Sequence, residues 1–396
     1  MQFRAGQQGF GGQQQGFGGG GFGQQQGGFQ AGGFGQQAPQ QQSGFGGSPG
    51  GFSAGAGTPG ANSNSTDHAV QQAPTDCISH LTFSPKGCPK VLLSATSWDK
   101  TVRIWELQGN NGVSSQPLAM QQHSAPLLSS ALSSDGRVFY GGCCNTVMMY
   151  NLTGGQPTQV AAHQQPVSCV RYVETANNGP MLITGGWDGK LHFWDLKSQQ
   201  PAKTEDLGAP IVSMCSKTPP MLAVLLSRKL VMYNLNTFQR QEDQPNQYIK
   251  FGMRDVACVE DGSGFLVGSV CGRAAFHSLN PTALQSYCYK AHVLDKSAHS
   301  EVYPINTVCA IKGTYITGGS DGAIRLWNIK SKQRVTEFAP HMAGTTPVPI
   351  AAADIHTDTQ LYAYAASYDW SLGKDGYSPQ GPFGIFVKTL SNSFIK

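Results

Sequence analysis

The chain has 396 residues, 50 of them glycine, and 13% of its residues are charged, with a formal net charge of +4 at pH 7. So small a net charge excludes a histone-like polycation that binds nucleic acid along its whole length. The longest uninterrupted apolar stretch, Met221–Leu226, is far shorter than the roughly 20 residues that cross a bilayer, so we expect no membrane span.

The ten cysteines carry information about the cellular compartment. No two of them form a Cys-x-x-Cys pair, and several stand in apolar, strand-like stretches where a free thiol acts as a small hydrophobic side chain. This pattern indicates a reducing compartment, the nucleus or the cytosol. The first 60 residues also lack the apolar run of a secretory signal.

Residues 1–66 are predicted to be a disordered tail. Residues 1–60 hold 23 of the 50 Gly and 8 of the 19 Phe, and Phe-Gly dipeptides begin at Phe10, Phe17, Phe22, Phe34 and Phe45. Single aromatic rings in a Gly and Gln chain have no periodic apolar face to bury, so they cannot offset the entropy of ordering. The segment resembles the FG repeats of nucleoporins, and a generic low-complexity linker is the alternative.

Residues 67–396 consist of internal repeats that end on large aromatic residues. The repeat ends are 39 to 59 residues apart, at Trp105, Tyr150, Trp194, Tyr233, Phe276, Trp327 and Phe386. The best preserved read SWDKTVRIWEL (97–107), GWDGKLHFWDL (186–196) and SDGAIRLWNI (320–329), each with a tight Asp turn between two short alternating strands. A unit of about 40 to 45 residues with four strands is typical of one propeller blade. The sequence therefore predicts an all-β fold, a seven-bladed β-propeller of WD repeats.

A closed ring requires certain segments and polar residues to be structural. One blade cannot bury both faces alone, so we expect residues 68–73 to close the ring as an outer strand beside residues 385–390. In the third unit, His163, Thr184, Asp188 and Trp194 have the residue types of the hydrogen-bonded tetrad often found in WD repeats. We assign these four side chains to the scaffold.

Two patterns that suggest an enzyme or a metal site lack the required context. Residues 318–322 spell Gly-x-Ser-x-Gly, but Ser320 precedes a blade turn, whereas a nucleophile elbow lies between a strand and a helix. Cys288, His292 and His299 lack a fourth ligand at zinc spacing. We therefore expect no catalytic residue, no metal and no cofactor, and a protein that is not an enzyme.

Large aromatic residues recur beside the turns of three repeats. Trp98, Trp187 and Tyr368 each stand directly before a turn Asp, and Trp370 follows shortly after. Rings held near solvent on rigid strands are typical anchors for a binding segment, so the pattern predicts a shared aromatic rim. Packing between neighbouring blades is the alternative.

Basic residues concentrate late in the chain. Arg273 is followed by Arg325, Lys330, Lys332 and Arg334, with Glu337 nearby to oppose them. Such a cluster can hold phosphates, with an affinity that falls as salt rises. A simple solvated surface is the alternative.

Four segments resemble one group of WD-repeat proteins. AYAASYDWSLGKDGYSPQ (363–380) is similar to the seventh-blade signature of the nuclear-pore-associated mRNA export factor family. GRAAFHSLNP (272–281), CISHLTFSP (77–85) and GGWDGKLHFWD (185–195) resemble the fifth, first and third blades of that family. The related mitotic-checkpoint propeller also ends in a Ser-Tyr blade, but Asp-Trp-Ser at residues 369–371 favours the export factors.

The resemblance implies a non-enzymatic mRNA export factor that binds a GLEBS-type segment of an FG nucleoporin on one face and contacts RNA and messenger ribonucleoprotein near it. Carried over, it places nucleoporin contacts at Trp98, Trp187, Tyr368 and Trp370, and RNA contacts at Arg273, Lys330, Lys332 and Arg334. It also implies a location in the nucleus, at the nuclear pore complex and envelope, and in the cytoplasm. Transport receptors are further expected partners, through the FG tail.

The chain departs from this family in two respects. Most members lack an FG tail of their own, and the second and fourth blades here have degenerate turns at residues 143–147 and 227–230, where we assign no contact. Two other functions stay open at this point. One is a role in the mitotic checkpoint or spindle assembly, and the other is a substrate adaptor of an enzyme complex.

Overall fold

The computed structural model describes residues 67–109, 112–175, 177–197, 200–216, 221–241 and 249–395. The predicted tail over residues 1–66 lies outside the described residues, and its boundary with the ring stays a prediction. The described part is made of β-strands and a short 3-10 helix at Gly373–Gly376. No helix in it is long and apolar enough to cross a membrane.

Seven four-stranded antiparallel sheets form the blades in the described part of the chain. From inner to outer strand, blade 1 is β2 (Ile78–Phe83), β3 (Val91–Ser97), β4 (Thr101–Gln108) and β5 (Ser114–Gln122); blade 2 is β6 (Leu127–Leu132), β7 (Arg137–Gly142), β8 (Thr146–Asn151) and β9 (Thr158–Ala162). Blade 3 is β10 (Val167–Thr175), β11 (Gly179–Gly186), β12 (Lys190–Asp195) and β13 (Pro201–Asp206); blade 4 is β14 (Ile211–Cys215), β15 (Met221–Leu226), β16 (Leu230–Asn234) and β17 (Gln239–Arg240).

The remaining blades follow the same order. Blade 5 is β18 (Met253–Cys258), β19 (Gly264–Ser269), β20 (Arg273–Ser278) and β21 (Tyr287–Lys290); blade 6 is β24 (Ile305–Ile311), β25 (Thr314–Gly319), β26 (Ile324–Asn328) and β27 (Arg334–Phe338). Blade 7 is β30 (Ile350–His356), β31 (Leu361–Ala366), β32 (Gly384–Thr389) and β1 (His68–Ala69). Two hairpins are inserted between blades, β22 (Val293–Asp295) with β23 (Ser300–Val302), and β28 (Met342–Ala343) with β29 (Thr346–Pro347).

The inner strands repeat one local irregularity. All seven have a register shift near their first residues, as between Ile78 and His80 in blade 1 or Ile350 and Ala352 in blade 7. A β-bulge increases the local twist and bends the strand. Each inner strand contacts the inner strands of both neighbouring blades, and β30 contacts β2, so the strands form a closed ring. The predicted seven-bladed propeller is confirmed.

Apolar cores lie between neighbouring blades. Trp105 of blade 1 is buried in a cluster with Val387 of blade 7, and the ring of Phe193 in blade 3 lies 5.7 Å from that of Tyr233 in blade 4. The seven repeat-end aromatics all lie in third strands, where they fill these cores. Full burial of a large apolar side chain stabilises the fold by about 2 to 3 kcal/mol.

The N-terminal strand closes the ring. His68 pairs with Val387 and Ala69 with Phe386, and the Val70 amide donates to the Ile385 carbonyl over 2.9 Å. The predicted closure beside residues 385–390 is confirmed, although the regular strand has two residues and not the six expected. Pairing with β1 gives blade 7 its fourth strand and covers the outer edge of β32.

The two faces of the disc carry different loops. Because the four strands of a blade are antiparallel, loops between second and third strands lie on the same face as the connections between blades. We call this the upper face; it also carries both inserted hairpins and the 3-10 helix. The lower face carries the loops between first and second and between third and fourth strands.

Candidate functional site

Exposed apolar side chains concentrate on the upper face. Nine large hydrophobic residues are exposed in the described part of the chain, and Leu118 and Met120 of the outer strand β5 are two of them. The other seven lie in upper-face loops or in the inserted β22–β23 hairpin: Trp187, Phe251, Val270, Leu294, Val302, Trp370 and Leu372. Exposed apolar residues gathered on one face mark an interaction surface, whereas scattered ones need no explanation.

Four aromatic rings form a cluster at the seam between blades 7 and 1. The ring of Trp370 lies 5.2 Å from Trp98, 5.7 Å from Tyr368 and 5.5 Å from Tyr377, the last nearly parallel at 10°. We call Trp98, Tyr368, Trp370 and Tyr377 the aromatic cluster. Trp370 is 38% exposed, so the cluster is packed internally and still presents a ring to solvent.

Hydrogen bonds hold the β31–β32 loop, residues 367–383, over this seam. The Tyr368 hydroxyl donates to the Gly373 carbonyl over 2.6 Å, and the Tyr377 hydroxyl donates to Asp76 Oδ1 over 3.1 Å. Asp76 precedes the first strand of blade 1, so the second bond ties the loop of blade 7 to its neighbour. The loop is thereby held in place before any partner binds.

Asp369 holds Trp370 in an unusual backbone conformation. Trp370 has a φ of +61°, in the left-handed region. Beside it, Asp369 Oδ1 accepts from the Ser371 amide over 3.1 Å, and Oδ2 accepts from Asn306 over 2.8 Å and from the Ser320 hydroxyl. Burial alone raises the pKa of the Asp369 carboxyl, but these bonds outweigh it and leave the pKa below its usual value.

The predicted aromatic set is divided by the structure. Trp98, Tyr368 and Trp370 lie together, while Trp187 stands on blade 3 at the mouth of the central channel, 44% exposed. Tyr377 joins the cluster without having been predicted. Both interpretations of these rings apply, because Trp98 is half-buried at a blade seam and Trp370 faces solvent.

A central channel runs through the ring. The inner strands enclose a cavity of about 710 Å³, with Arg254 and Asn306 toward its upper end. Burial lowers the pKa of the Arg254 guanidinium, and the carboxylates of Asp369 and Asp255 partly oppose this. Within the described residues, the Arg254 side chain has no hydrogen bond and no ion pair within 4.0 Å, so its charge is available at the channel mouth.

Asp255 joins three blades inside the channel wall. Its carboxylate accepts from the Ser213 hydroxyl over 2.6 Å and from the Val308 amide over 2.9 Å, on blades 4 and 6. Burial raises the pKa of the Asp255 carboxyl despite these bonds. The carboxyl group is occupied by the scaffold.

The four tetrad residues of blade 3 form one chain of hydrogen bonds. His163 Nδ1 lies 3.2 Å from the Asp188 carboxylate, His163 Nε2 lies 2.8 Å from Thr184 Oγ1, and Trp194 Nε1 donates to the same hydroxyl oxygen over 2.9 Å. Burial lowers the pKa of His163, and this outweighs the attraction of Asp188. Each of the four tetrad side chains therefore has a hydrogen-bond partner within the scaffold.

A second tetrad in blade 6 was not predicted from the sequence. His292 lies 2.8 Å from Asp321 and 2.9 Å from Thr317, and Trp327 Nε1 donates to Thr317 over 3.3 Å. Arg325 also donates to Asp321 over 2.7 Å. The histidine considered for a zinc site therefore belongs to the scaffold, and burial lowers its pKa.

The predicted RNA-binding cations lie on two faces of the disc. Arg273 begins β20 at the upper face, whereas Lys330, Lys332 and Arg334 follow β26 at the lower face. The family resemblance implied that all four lie near the aromatic face, but the third strand of a blade carries the chain across the disc. All four side chains are exposed.

Two of the lower-face cations already have neighbours. Arg334 forms an ion pair with Glu337 at 2.5 Å, and Lys332 Nζ lies 4.9 Å from the centre of the Tyr287 ring. Arg325, which was counted with this group, is buried in the second tetrad. Arg273, Lys330 and Lys332 are therefore the cations best placed to meet phosphates.

The fold defines a class of protein: a WD-repeat propeller, here with most of its exposed large apolar side chains on one face. The family model for the WD domain, G-beta repeat, matches residues 66–106 and 155–195. The solved structure of U3-55K superposes with a TM-score of 0.67 at 12% identity, covering 83% of this chain and 99% of that chain, which shows the fold alone.

Relatives of known name narrow the class further. The poly(A)+ RNA export protein of Schizosaccharomyces pombe is 33% identical, covering 83% of this chain and 92% of its own length. Protein RAE1 of Arabidopsis thaliana is 35% identical, covering 85% of this chain and 94% of its own length. The mRNA export factor of Xenopus tropicalis is 33% identical, covering 87% of this chain and 96% of its own length. The chain belongs to the mRNA export factor family of WD-repeat propellers, and the resemblance found in its blades is confirmed.

Proposed function

We propose that the chain is a non-catalytic scaffold of mRNA export that binds a GLEBS-type segment of an FG nucleoporin on its upper face. The observation that carries this proposal is the aromatic cluster, which places Trp370 over Trp98 and Tyr377 across a blade seam. Rigid aromatic rings at a preformed seam are typical binding hot spots.

The chemistry of the upper face favours an apolar segment with acidic residues. Trp187 at the channel mouth and Phe251 in the upper-face connection before β18 are exposed and provide apolar contacts. Arg254 and Arg273 provide positive charge, and Arg254 has no ion pair within the described residues. A carboxylate that reached Arg254 would satisfy a half-buried cation, which favours binding more than a contact at an exposed charge does.

The proposed RNA contacts are weak and salt-dependent. Arg273 on the upper face and Lys330 and Lys332 on the lower face are exposed and can each neutralise a phosphate. Because these side chains lie on two faces, a strand of RNA must pass over the rim of blades 5 and 6 to meet all of them. Several weak contacts suit a protein that holds ribonucleoprotein in transit.

The proposal of a non-catalytic role rests on how the reactive side chains are used. The Ser320 hydroxyl donates to Asp369, and His163 and His292 are bonded within the two tetrads. A nucleophile needs a base positioned beside it in a cleft that admits substrate. These side chains instead form hydrogen bonds that support the blade turns.

The proposed location is the nuclear pore, with exchange between nucleus and cytoplasm. A nucleoporin anchor would hold the ring there, and the FG tail would join the FG network or recruit transport receptors. Deletion of residues 1–60 tests the tail: the thermal midpoint should stay unchanged while retention at the nuclear envelope weakens. Unchanged retention would remove the tail from the proposal.

The nucleoporin contact is tested by direct binding. A fluorescent GLEBS-type peptide is titrated with the purified chain and with the Trp370→Ala variant, and the variant should bind at least tenfold more weakly. Leu118→Ala is the matched control, because Leu118 is also exposed but lies on the outer strand of blade 1. Equal affinity of Trp370→Ala and the unmodified chain would contradict the proposal.

A further inference from the structure

A Ser-Pro pair directly follows the aromatic cluster along the chain. Ser378 comes after Tyr377, is exposed, and lies outside the strands in the β31–β32 loop. The Gly381 amide donates to the Ser378 carbonyl over 3.0 Å, so the pair stands at a turn. Within the described residues, the Ser378 hydroxyl has no hydrogen-bond partner. It is therefore available to solvent and to an enzyme.

The other Ser-Pro and Thr-Pro pairs of the described residues are less accessible. Ser84, before Pro85, is 5% exposed, and its hydroxyl donates to the Lys90 carbonyl over 3.2 Å and accepts from the Leu92 amide over 3.1 Å. Thr346, before Pro347, is exposed but is paired with Ala343 in the β28–β29 hairpin. Ser378 alone among these combines exposure with an irregular backbone.

We propose that Ser378 is phosphorylated by a proline-directed Ser/Thr kinase, and that the phosphate weakens binding of the nucleoporin segment to the aromatic cluster. The second part rests on the proposed function. In the transfer, Ser378 Oγ forms a bond to the γ-phosphorus of ATP, the bond from that phosphorus to the β-γ bridging oxygen breaks, the hydroxyl proton passes to the base of the kinase, and ADP leaves. Pro379 lacks an amide proton and disfavours the helical region for Ser378. The residue before a proline is therefore extended, and an extended backbone is the form that such kinases bind.

The phosphate acts through the charges around the cluster. The Tyr377 hydroxyl donates to Asp76, so the residue before Ser378 is bonded to a carboxylate 3.1 Å away. A phosphate with a charge near −2 on the next residue repels Asp76 and any acidic segment that approaches. In the loop itself, Lys374 is followed by Asp375, so their charges offset each other. Phosphorylation therefore loosens the bond between Tyr377 and Asp76 and disfavours an acidic partner.

The first experiment measures the modification itself. The full chain is incubated with ATP and a kinase of the cyclin-dependent class, and the phosphate on each Ser-Pro and Thr-Pro peptide is quantified by mass spectrometry. We expect Ser378 to be modified severalfold faster than Thr346 and Ser84 to stay unmodified. An unmodified Ser378, or equal rates at Ser378 and Ser84, would overturn the proposal.

The second experiment separates this inference from the proposed function. Binding of the GLEBS-type peptide should be about fivefold weaker to the phosphorylated chain, which gains nearly two negative charges near the site, and about twofold weaker to Ser378→Glu, which gains one. It should be unchanged for Ser378→Ala and Thr346→Glu. A chain that binds the peptide equally well with and without the phosphate refutes the inference and leaves the proposed function standing.

Tryptophan emission gives a reading that needs no peptide. If the unmodified chain does not bind the peptide, the proposed function fails, but loosening of Tyr377 should still change the emission of Trp370, which stacks on it at 5.5 Å. Phosphorylation that changes the emission of the intact chain and not of Trp370→Phe supports the inference. Phosphorylation without any change in emission overturns it.

Discussion

Lys388 Nζ lies 3.0 Å from Asp67 Oδ1, and this ion pair fastens the N-terminal strand to the last blade of the ring. The side chain of Asp67 is fully buried and that of Lys388 is 10% exposed. Tyr364 donates its hydroxyl to Asp67 Oδ2 over 2.6 Å, and Lys388 Nζ lies 3.6 Å from the centre of the Phe338 ring. The charges that close the ring are therefore shielded from water and from salt.

Removal of Asp67 should destabilise the ring strongly. In Asp67→Ala, Lys388 stays buried without its counter-charge and the Tyr364 hydroxyl loses its acceptor, so we expect a loss of about 3 to 5 kcal/mol in the free energy of unfolding. Urea unfolding measures this loss. The control is Asp358→Ala, which breaks the exposed pair with Lys86 and should cost no more than about 1 kcal/mol. Equal losses for the two variants would show that the closure pair has no special weight.

Acid should weaken the fold through its buried histidines. Burial lowers the pKa of seven described histidines, and that of His192 falls to about 4. Below pH 6.5 these histidines bind protons in the unfolded chain but stay neutral in the folded ring. The free energy of unfolding that is present above pH 6.5 is therefore lost as the pH falls toward 4. The raised pKa of Asp255 has the opposite sign and offsets part of the loss.

Urea unfolding between pH 7.5 and pH 5 tests this pH dependence. The midpoint should be constant near pH 7.5 and should decrease below pH 6.5. In His192→Gln the decrease should be smaller, because one lowered pKa is removed. A midpoint that rises on acidification would show that the raised pKa of Asp255, and not the lowered pKa values of the histidines, controls stability in this range.

The ring could be predicted from sequence because strands and turns repeat locally. Trp105 and Phe386 lie within third strands near opposite ends of the described chain, and the repeat that each belongs to is visible without coordinates. The closing strand at His68 followed from counting blades. The second tetrad was missed because β22 and β23 are inserted after its histidine, so His292 and Asp321 are 29 residues apart, against 25 for His163 and Asp188.

The candidate site could be predicted less completely, because its members come from irregular loops. Tyr377 enters the aromatic cluster through the path of residues 367–383, which no periodicity determines. Arg254 looks like any strand residue until the channel is formed around it. The position of two cations was also wrongly expected. β26 runs from the upper to the lower face, so Lys330 and Lys332 at its far end lie across the disc from the aromatic cluster.

The two groups of cations should contribute independently to RNA binding. Neutralising Arg273 with Gln should lower the slope of log affinity against log salt by about 0.7 for single-stranded RNA, and the double change of Lys330 and Lys332 to Gln by about 1.4. Because the groups lie on different faces, their free-energy effects should add. Filter binding of a long oligonucleotide at four salt concentrations measures both slopes, with Lys86→Gln as the exposed control.

The result for Arg334 distinguishes a phosphate contact from an ion pair. Arg334 is already paired with Glu337, so Arg334→Gln should change the salt slope less than Arg273→Gln does. A slope that stays constant in all of these variants would show that the cations are solvated surface. A larger effect of Arg334 than of Arg273 would place the RNA on the lower face alone.

Two substitutions should separate the contribution of the Trp370 ring to peptide binding from the cost of its backbone conformation to stability. Its φ of +61° is costly for a side chain with a Cβ and free for glycine, a difference of about 1 kcal/mol. Trp370→Gly loses the ring contacts with Trp98 and Tyr377 but relieves the backbone, so its thermal midpoint should stay near that of the unmodified chain. Trp370→Ala loses the contacts and keeps the strained backbone, so it should unfold at a lower temperature.

Both variants should bind the GLEBS-type peptide at least tenfold more weakly. A Trp370→Gly chain that binds within twofold of the unmodified chain would exclude the aromatic cluster as the docking site, because folding and binding are measured on the same stable protein.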